Sequence, residues 1–371
     1  VVVLLTIDAV RADVLADPAR TDEWPTYKKL LREGAVFTQA RSPGSQTSVS
    51  LTALFSGKYF SELKWSWFGA GRSRFEYAVT DPTPRLPQTL SDAGVSTYKA
   101  ASLIFLKNEF GVAPGFTEEE VVTEGRRHAT AREVVTPLAA RVRSVGRDEA
   151  FFGFAHLTEP HSPYDRGKLK QGEPFERYVS EIGATDHHLG DIVRALSAPG
   201  VAGRSLLIVT ADHGEAFGEH GTHQHTKTIY EELVRVPLIV WGSKVRARTI
   251  DEPVTLVDLN PTVLDVFDLE IDDDTAGESL VPLLAGRDVE LTRPIVAEGR
   301  LRRALYAGDL KVIVDLRRTT VEAFDLSRDP GELDNLFDRD PARVAPLLAT
   351  LGAYFEARAY RAPGYETPYK P

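Results

Sequence analysis

The sequence predicts an open α/β sheet, mostly parallel, with helices on both faces. Three observations carry that expectation. Four short, almost wholly apolar runs read as strands buried on both faces: VVVLLTI (1–7), FFGFAHL (151–157), SLLIVTA (205–211) and VPLIVW (236–241). Segments of helical periodicity separate them, and strands alternating with helices of that length favour parallel pairing. Several runs end on polar residues able to bind metal, as expected of sheets whose ligands gather beyond the carboxyl ends of the strands.

Taken in order, VVVLLTI is rich in β-branched residues and reads as a central strand. TYKKLLREG (26–34) and LPQTLSDAG (86–94) read as helices that stop at Gly34 and Gly94. TAREVVTPLAARVRSVG (130–146) and PFERYVSEIGATDHHLGDIVRALS (174–197) are the two longest helical patterns. From about residue 300 the texture changes. RRALYAGDLKVIVDL followed by TTVEAFDL reads as a small antiparallel meander turning at Ala307-Gly308-Asp309, and PARVAPLLATLGAYFEARA (341–359) as a closing helix. The expected organisation is an α/β domain over 1–299 with a small α+β subdomain over 300–371 packed on it. No Pro/Gly/Ser-rich linker divides them, so they are expected to behave as one body.

Composition excludes some functions. A formal net charge of −10 argues against nucleic acid as a partner. The chain has no Cys, which removes disulfides and thiolate ligands and leaves the redox compartment unread. No apolar run approaches the ~18 residues needed to cross a membrane. The sequence opens directly on a core strand, so an upstream segment is expected, and any membrane association would run through it. Oligomeric state is not legible.

The chemistry concentrates at strand ends. VVVLLTI runs into Asp8, FFGFA runs into His156 and then HLTEPHSPY with His161, and SLLIVTA runs into Asp212-His213. Carboxylates mixed with imidazoles suit Zn²⁺ or Mn²⁺ better than Ca²⁺ or Mg²⁺. A further stretch, SPGSQTSVSLTALFSG (42–57), crowds hydroxyls ahead of an apolar helix. Those hydroxyls read either as caps for free backbone N–H groups or as holding a nucleophile.

These segments resemble the sulfatase branch of the alkaline phosphatase superfamily. LLTIDAVRADVL is similar to its first metal strand, PTYKKLLREGAVFTQA to the helix before the nucleophile, and HLTEPHSPY to its His-Pro substrate loop. LLIVTADHGEAFGEHG resembles the second metal strand, and VEAFDLSRDPGELDNLF the closing signature. Laid on TSVSLTALFSG, the family's formylglycine precursor falls on Thr47, with Val49 and Leu51 where Pro and Arg are usual. Threonine cannot yield that aldehyde. The stretch is instead similar to phosphoethanolamine transferases and lipoteichoic acid synthases, relatives that use a plain Thr alkoxide.

The resemblance implies a divalent metal, Zn or Mn rather than Ca or Mg, held by Asp8, Thr47, Asp212 and His213. Ala9 stands where many sulfatases have a second Asp. His161 and His225 match substrate or second-metal histidines, with His223 and Lys227 competing for the second place. His156 reads as a core or supporting residue, and His187 and His188 as surface or packing residues. Arg11 has two readings, pairing with Asp13 or another acid, or meeting substrate. Ser48 and Ser50 read as caps and packing. The implied activity is hydrolysis of a phosphate or sulfate ester through Thr47, phosphate favoured. The implied substrate is a small-molecule, lipid-headgroup or glycan ester, and the implied location is extracytoplasmic. A phospho-alcohol transferase and a non-catalytic binding domain of the same fold are the rivals. Substrate choice is assigned to loops 64–77 and 165–174.

Overall fold

The computed structural model describes residues 1–68, 75–124, 127–225 and 228–368. The central sheet has eight strands: β1 (Val2–Ile7), β2 (Ala35–Phe37), β3 (Ser96–Ala101), β4 (Glu118–Val121), β5 (Phe151–Leu157), β6 (Leu206–Thr210), β7 (Leu238–Gly242) and β8 (Arg248–Ile250). Their order is β8-β2-β7-β6-β1-β5-β3-β4. β1 lies at the centre, parallel to β5 on one side and β6 on the other. Every residue of β1 and β5 is buried, which explains why both read as unbroken apolar runs.

The main helices are α1 (Pro25–Glu33), α2 (Thr47–Ser56), α3 (Leu86–Asp92), α4 (Ala131–Arg143), α5 (Pro174–Leu196) and α6 (Pro341–Arg358). α4 rests on β3 and β5 and against α5, while α1 packs between α5 and β7. α2 is buried on almost every side. Phe55 meets Phe154 of β5 edge to face at 5.0 Å. Gly57 ends the helix at φ 69°, a left-handed conformation that costs other residues more. α2 is therefore a rigid post whose first residue is Thr47.

One strand departs from the sequence reading. The run at 236–241 was expected to be parallel, yet β7 pairs antiparallel with β6, Thr210 opposite Leu238. The connection leaves and re-enters at the same end of the sheet, so no crossover helix intervenes. A wholly apolar run carries no record of its direction.

The C-terminal meander has four strands: β9 (Ile295–Gly299), β10 (Arg302–Ala307), β11 (Leu310–Asp315) and β12 (Thr320–Asp325). Gly308 takes φ 56° in the expected turn. β9 lies before residue 300 and was not anticipated; it reads IVAEG, too short to stand out alone. One face of this sheet packs with α6, Tyr59 and Val257, the other with Ile229, Leu233 and Val234. Between the sheets lies a buried polar knot. The Lys311 ammonium meets Glu231 at 3.1 Å and Glu332 at 2.7 Å. Arg41 meets Glu231 at 3.1 Å, and the Tyr306 hydroxyl donates to Glu231 at 2.7 Å.

Two measurements test this arrangement. Lys311→Met should lower stability in urea unfolding by about 3–5 kcal/mol, because it leaves the buried Glu332 carboxylate without its cation. We propose that the segment from 300 onward is part of one folding unit with the rest. Brief proteolysis should then yield no stable fragment cut near residue 300, and recovery of one would refute the proposal.

Candidate metal centre

Parallel pairing brings three strand ends level. Thr6 of β1 is opposite both His156 of β5 and Thr210 of β6, so Asp8, His156 and Asp212 come out at one edge. All three are essentially fully buried. One ligand atom from each lies within 4.8 Å of the others. Their spare valences are open: Asp8 Oδ1, Asp212 Oδ2 and His156 Nε2 have no hydrogen-bond partner among the described residues. Asp212 Oδ1 is occupied, accepting from the backbone N–H groups of Ala9 and His213 at 3.3 and 3.0 Å.

Around this core the other groups are oriented by their neighbours. His213 Nδ1 lies 2.9 Å from the Gly214 carbonyl, which can only accept. Nδ1 therefore donates to that carbonyl, which turns Nε2 toward the carboxylates. That Nε2 is 3.4 Å from Asp212 Oδ2, 3.7 Å from Asp8 Oδ1 and 3.2 Å from Thr47 Oγ1. His156 Nδ1 is 2.7 Å from the Thr6 hydroxyl, and its Nε2 faces Asp8 Oδ2 at 3.6 Å, an ion-pair distance rather than a hydrogen bond. Burial alone would raise the Asp8 carboxyl, but the imidazoles of His156, His161 and His213 outweigh it and hold it well below the usual carboxylate range. Burial works against charge on His156 as well, and the facing Asp8 and Asp212 carboxylates raise it nonetheless.

Thr47 opens α2, where the Gln46 side chain makes no cap. Free N–H groups and the helix dipole at that end favour an anion. Ser50 is packed inward, donating to the Gly44 carbonyl at 2.9 Å. Beyond Thr47 the histidines continue. The His213 and His225 rings are 4.3 Å apart, and His225 and His161 are 5.3 Å apart. His225 Nδ1 is held by Glu215 at 3.1 Å, and Glu215 in turn accepts from the Tyr164 hydroxyl at 2.9 Å. Burial opposes a charge on His225, but Glu215 raises its affinity for a proton.

The geometry thus gathers Asp8, Thr47, Asp212, His213, His161 and His225 in one region. Lys227 lies outside the described residues. His156 is deeper in the cluster than the supporting role read for it, and its signal was its place at a strand end beside Asp8. Glu215 was not anticipated; it stands two residues after His213 as a fully buried acid. Arg11 pairs with Asp13 and Glu219, at 2.8 and 2.6 Å. His187 is exposed and His188 half-buried on α5, as read, and His223 is exposed on a two-residue strand. His220 bonds Glu232 and the Glu332 carbonyl. Ala9, at φ 63°, makes the turn after β1, its carbonyl accepting from the Tyr178 hydroxyl at 2.6 Å. In the loop at 64–77, Trp65 packs at a tilt against Phe60 in the interior, and residues 69–74 lie outside the described residues.

The sequence profile described as Sulfatase matches residues 1–269. The chain belongs to the sulfatase family. Among curated proteins it is 29% identical to arylsulfatase K of Xenopus laevis over 194 residues, 46% of this chain and 35% of that one. The chain therefore spans about a third of the length of that curated relative. Its fold matches a crystal structure of a putative sulfatase from Bacteroides thetaiotaomicron, with TM-score 0.75, 17% identity, and 96% and 91% of the two chains covered. It also matches a phosphonate monoester hydrolase from Silicibacter pomeroyi, with TM-score 0.77, 17% identity, and 97% and 95% covered. The fold is thus that of sulfatases and of the alkaline phosphatase superfamily.

Sulfatases use a divalent metal, and this chain has a possible Asp/His/Asp site for one. Two carboxylate oxygens and an imidazole nitrogen, buried together and without a hydrogen-bond partner among the described residues, suit a cation. Calorimetric titration should find a divalent-ion site that Asp212→Asn weakens at least tenfold, with Zn²⁺ or Mn²⁺ bound more tightly than Ca²⁺. A hundredfold excess over Kd should add about 2.7 kcal/mol to unfolding stability. Unchanged affinity in the variant would move the site elsewhere.

Proposed function

We propose that this sulfatase-family chain is a metal-dependent hydrolase of phosphate or sulfate esters that works through a covalent intermediate on Thr47. One observation supports it above the others: Thr47 Oγ1 stands 3.2 Å from His213 Nε2, at the rim of the carboxylate cluster and at an uncapped helix N-terminus. Asp8, Asp212, His213 and His156 would hold the ion. When bound, it polarises the ester oxygen and eases deprotonation of a neighbouring hydroxyl.

The chain's own residues divide the remaining work. Thr47 gives up its proton to solvent, and its Oγ attacks the phosphorus or sulfur. A bond from Thr47 to that centre forms as the bond to the leaving alcohol breaks. Water then attacks the same centre, the bond to Thr47 breaks with the Oγ taking a proton from solvent, and the phosphate or sulfate leaves. The first turn of α2 offers N–H groups to the non-bridging oxygens. His161 and His225 stabilise the same oxygens and donate a proton to the departing alcohol. Glu215 holds His225 in the orientation and protonation this needs. Lys227 is assigned a share in contacting the ester oxygens.

Phosphate is favoured over sulfate. A threonine ester lacks the second hydroxyl through which formylglycine expels sulfate, so a sulfo-threonine would have to await direct hydrolysis. The substrate class we assign is a small-molecule, lipid-headgroup or glycan ester, met outside the cytoplasm. No helix among the described residues is long and apolar enough to cross a membrane.

Steady-state kinetics on aryl phosphates and aryl sulfates test this reading. Phosphates should turn over faster, without a maturation factor. Thr47→Ala should cost roughly 10³-fold or more in kcat, and Thr47→Ser should retain a measurable part. Aryl sulfate turnover that survives in Thr47→Ala would remove Thr47 from the mechanism.

A further inference from the structure

At one end of the C-terminal sheet lies a cavity of about 500 Å³, between the turn joining β9 to β10, the turn joining β11 to β12, and Thr228. Arg300, Arg302, Arg317 and Arg318 line it, and Asp315 is the one acid among the described residues that does. That acid is spent. Asp315 Oδ1 accepts from the backbone N–H groups of Arg317 and Arg318, both at 3.0 Å, and Oδ2 meets the Arg302 guanidinium at 2.8 Å. Glu76 holds Arg300 at 2.7 Å, which ties the cavity to the loop at 64–77. Arg317 and Arg318 are exposed, and their guanidinium groups form no ion pair or hydrogen bond among the described residues. With Asp315 and Glu76 set against four arginines, positive charge remains over in a chain whose net charge is −10. Gathering like charges at one concavity is repulsive until an anion meets them. Guanidinium forks suit carboxylate, sulfate or phosphate.

We propose that this cavity binds a second anionic group of the substrate, so that the ester cleaved at Thr47 belongs to a molecule carrying at least two negative groups. The inference rests on the reading of Thr47 as nucleophile. Chain connectivity keeps the cavity close to the metal centre. Thr228 is three residues after His225, and three residues span at most about 11 Å. On the other wall Gly299 follows Glu298, whose backbone N–H donates to the Pro43 carbonyl at 2.8 Å. Pro43 is four residues before Thr47, at most about 14 Å along the chain. A phosphorylated sugar or a short alkyl diester covers spans of that order. Arg317 and Arg318 brace nothing through their side chains, so their charge is available to a ligand.

Monophosphates and bisphosphates of 1,4-butanediol, 1,6-hexanediol and 1,8-octanediol serve as rulers, because each pair differs only in the second phosphate. At one of these lengths, wild type should prefer the bisphosphate by roughly tenfold or more in kcat/KM. The double variant Arg317→Gln/Arg318→Gln keeps the backbone N–H groups that hold Asp315. It should lose most of that preference, with its kcat/KM on the monophosphates within about twofold of wild type. No preference at any length, or one that survives in the variant, would overturn the proposal. Equal losses on both members of each pair would reduce the arginines to a general field and overturn it too. Inorganic phosphate that binds wild type but not the variant, without a bisphosphate preference, would mark a site for a free anion and likewise overturn it. A wild-type protein inert on all six esters would instead refute the Thr47 reading. The cavity is then judged by calorimetric binding of the bisphosphates to the Zn²⁺-loaded protein. Binding weaker in the double variant by roughly tenfold sustains it, and equal or absent binding overturns it.

Discussion

Two carboxylates buried side by side set the terms for this molecule. Asp8 and Asp212 end neighbouring parallel strands at the centre of the sheet, each with an oxygen that no described group satisfies. Taking two like charges out of water is costly unless positive charge meets them. Three imidazoles meet part of that demand, and a divalent ion would meet the rest. The strands themselves require no such pair, since apolar residues would close them as well. The sheet bears the cost because its carboxyl edge is where backbone geometry can aim several side chains at one point with little freedom to drift.

Everything around the pair restricts movement. α2 holds Thr47 through a buried body, and Phe55 braces it on β5. The left-handed turn at Ala9 is fastened by Tyr178 on one side and Asp212 on the other. The excursion between β6 and β7 carries His213, Glu215 and His225. It is pinned to the C-terminal segment by His220 on the Glu332 carbonyl, and by the knot of Lys311, Glu231 and Glu332. Remote packing thereby reaches the site: the small sheet steadies the segment on which half of the histidines ride.

Much of this was legible in the sequence, and the gaps have physical causes. Unbroken apolar runs disclose buried strands, so the sheet and its strand-end residues Asp8 and Asp212 could be read directly. The same runs are silent about direction, which is why β7 was misread as parallel. His156 was legible as a strand end but not as part of the cluster, because a buried histidine serves a core equally well. Only the register with Thr6 decides between them. Glu215 gave no signal beyond its neighbourhood, since its contacts with His225 and Tyr164 join segments ten and fifty-one residues apart. β9 was missed because five residues before a meander look like the end of something else.

The charge balance gives the site a second task. A chain of net charge −10 repels an anionic ester at long range. Screening confines that repulsion to roughly 8–10 Å at physiological salt, so the decisive field is local. Locally the sign reverses: the uncapped N-terminus of α2, the line of imidazoles from His213 through His225 to His161, and the ion the carboxylates would hold all favour an anion. A cation that relieved Asp8 and Asp212 would thus also favour entry of the anionic ester we propose, so that its binding and substrate recognition would be parts of one electrostatic balance.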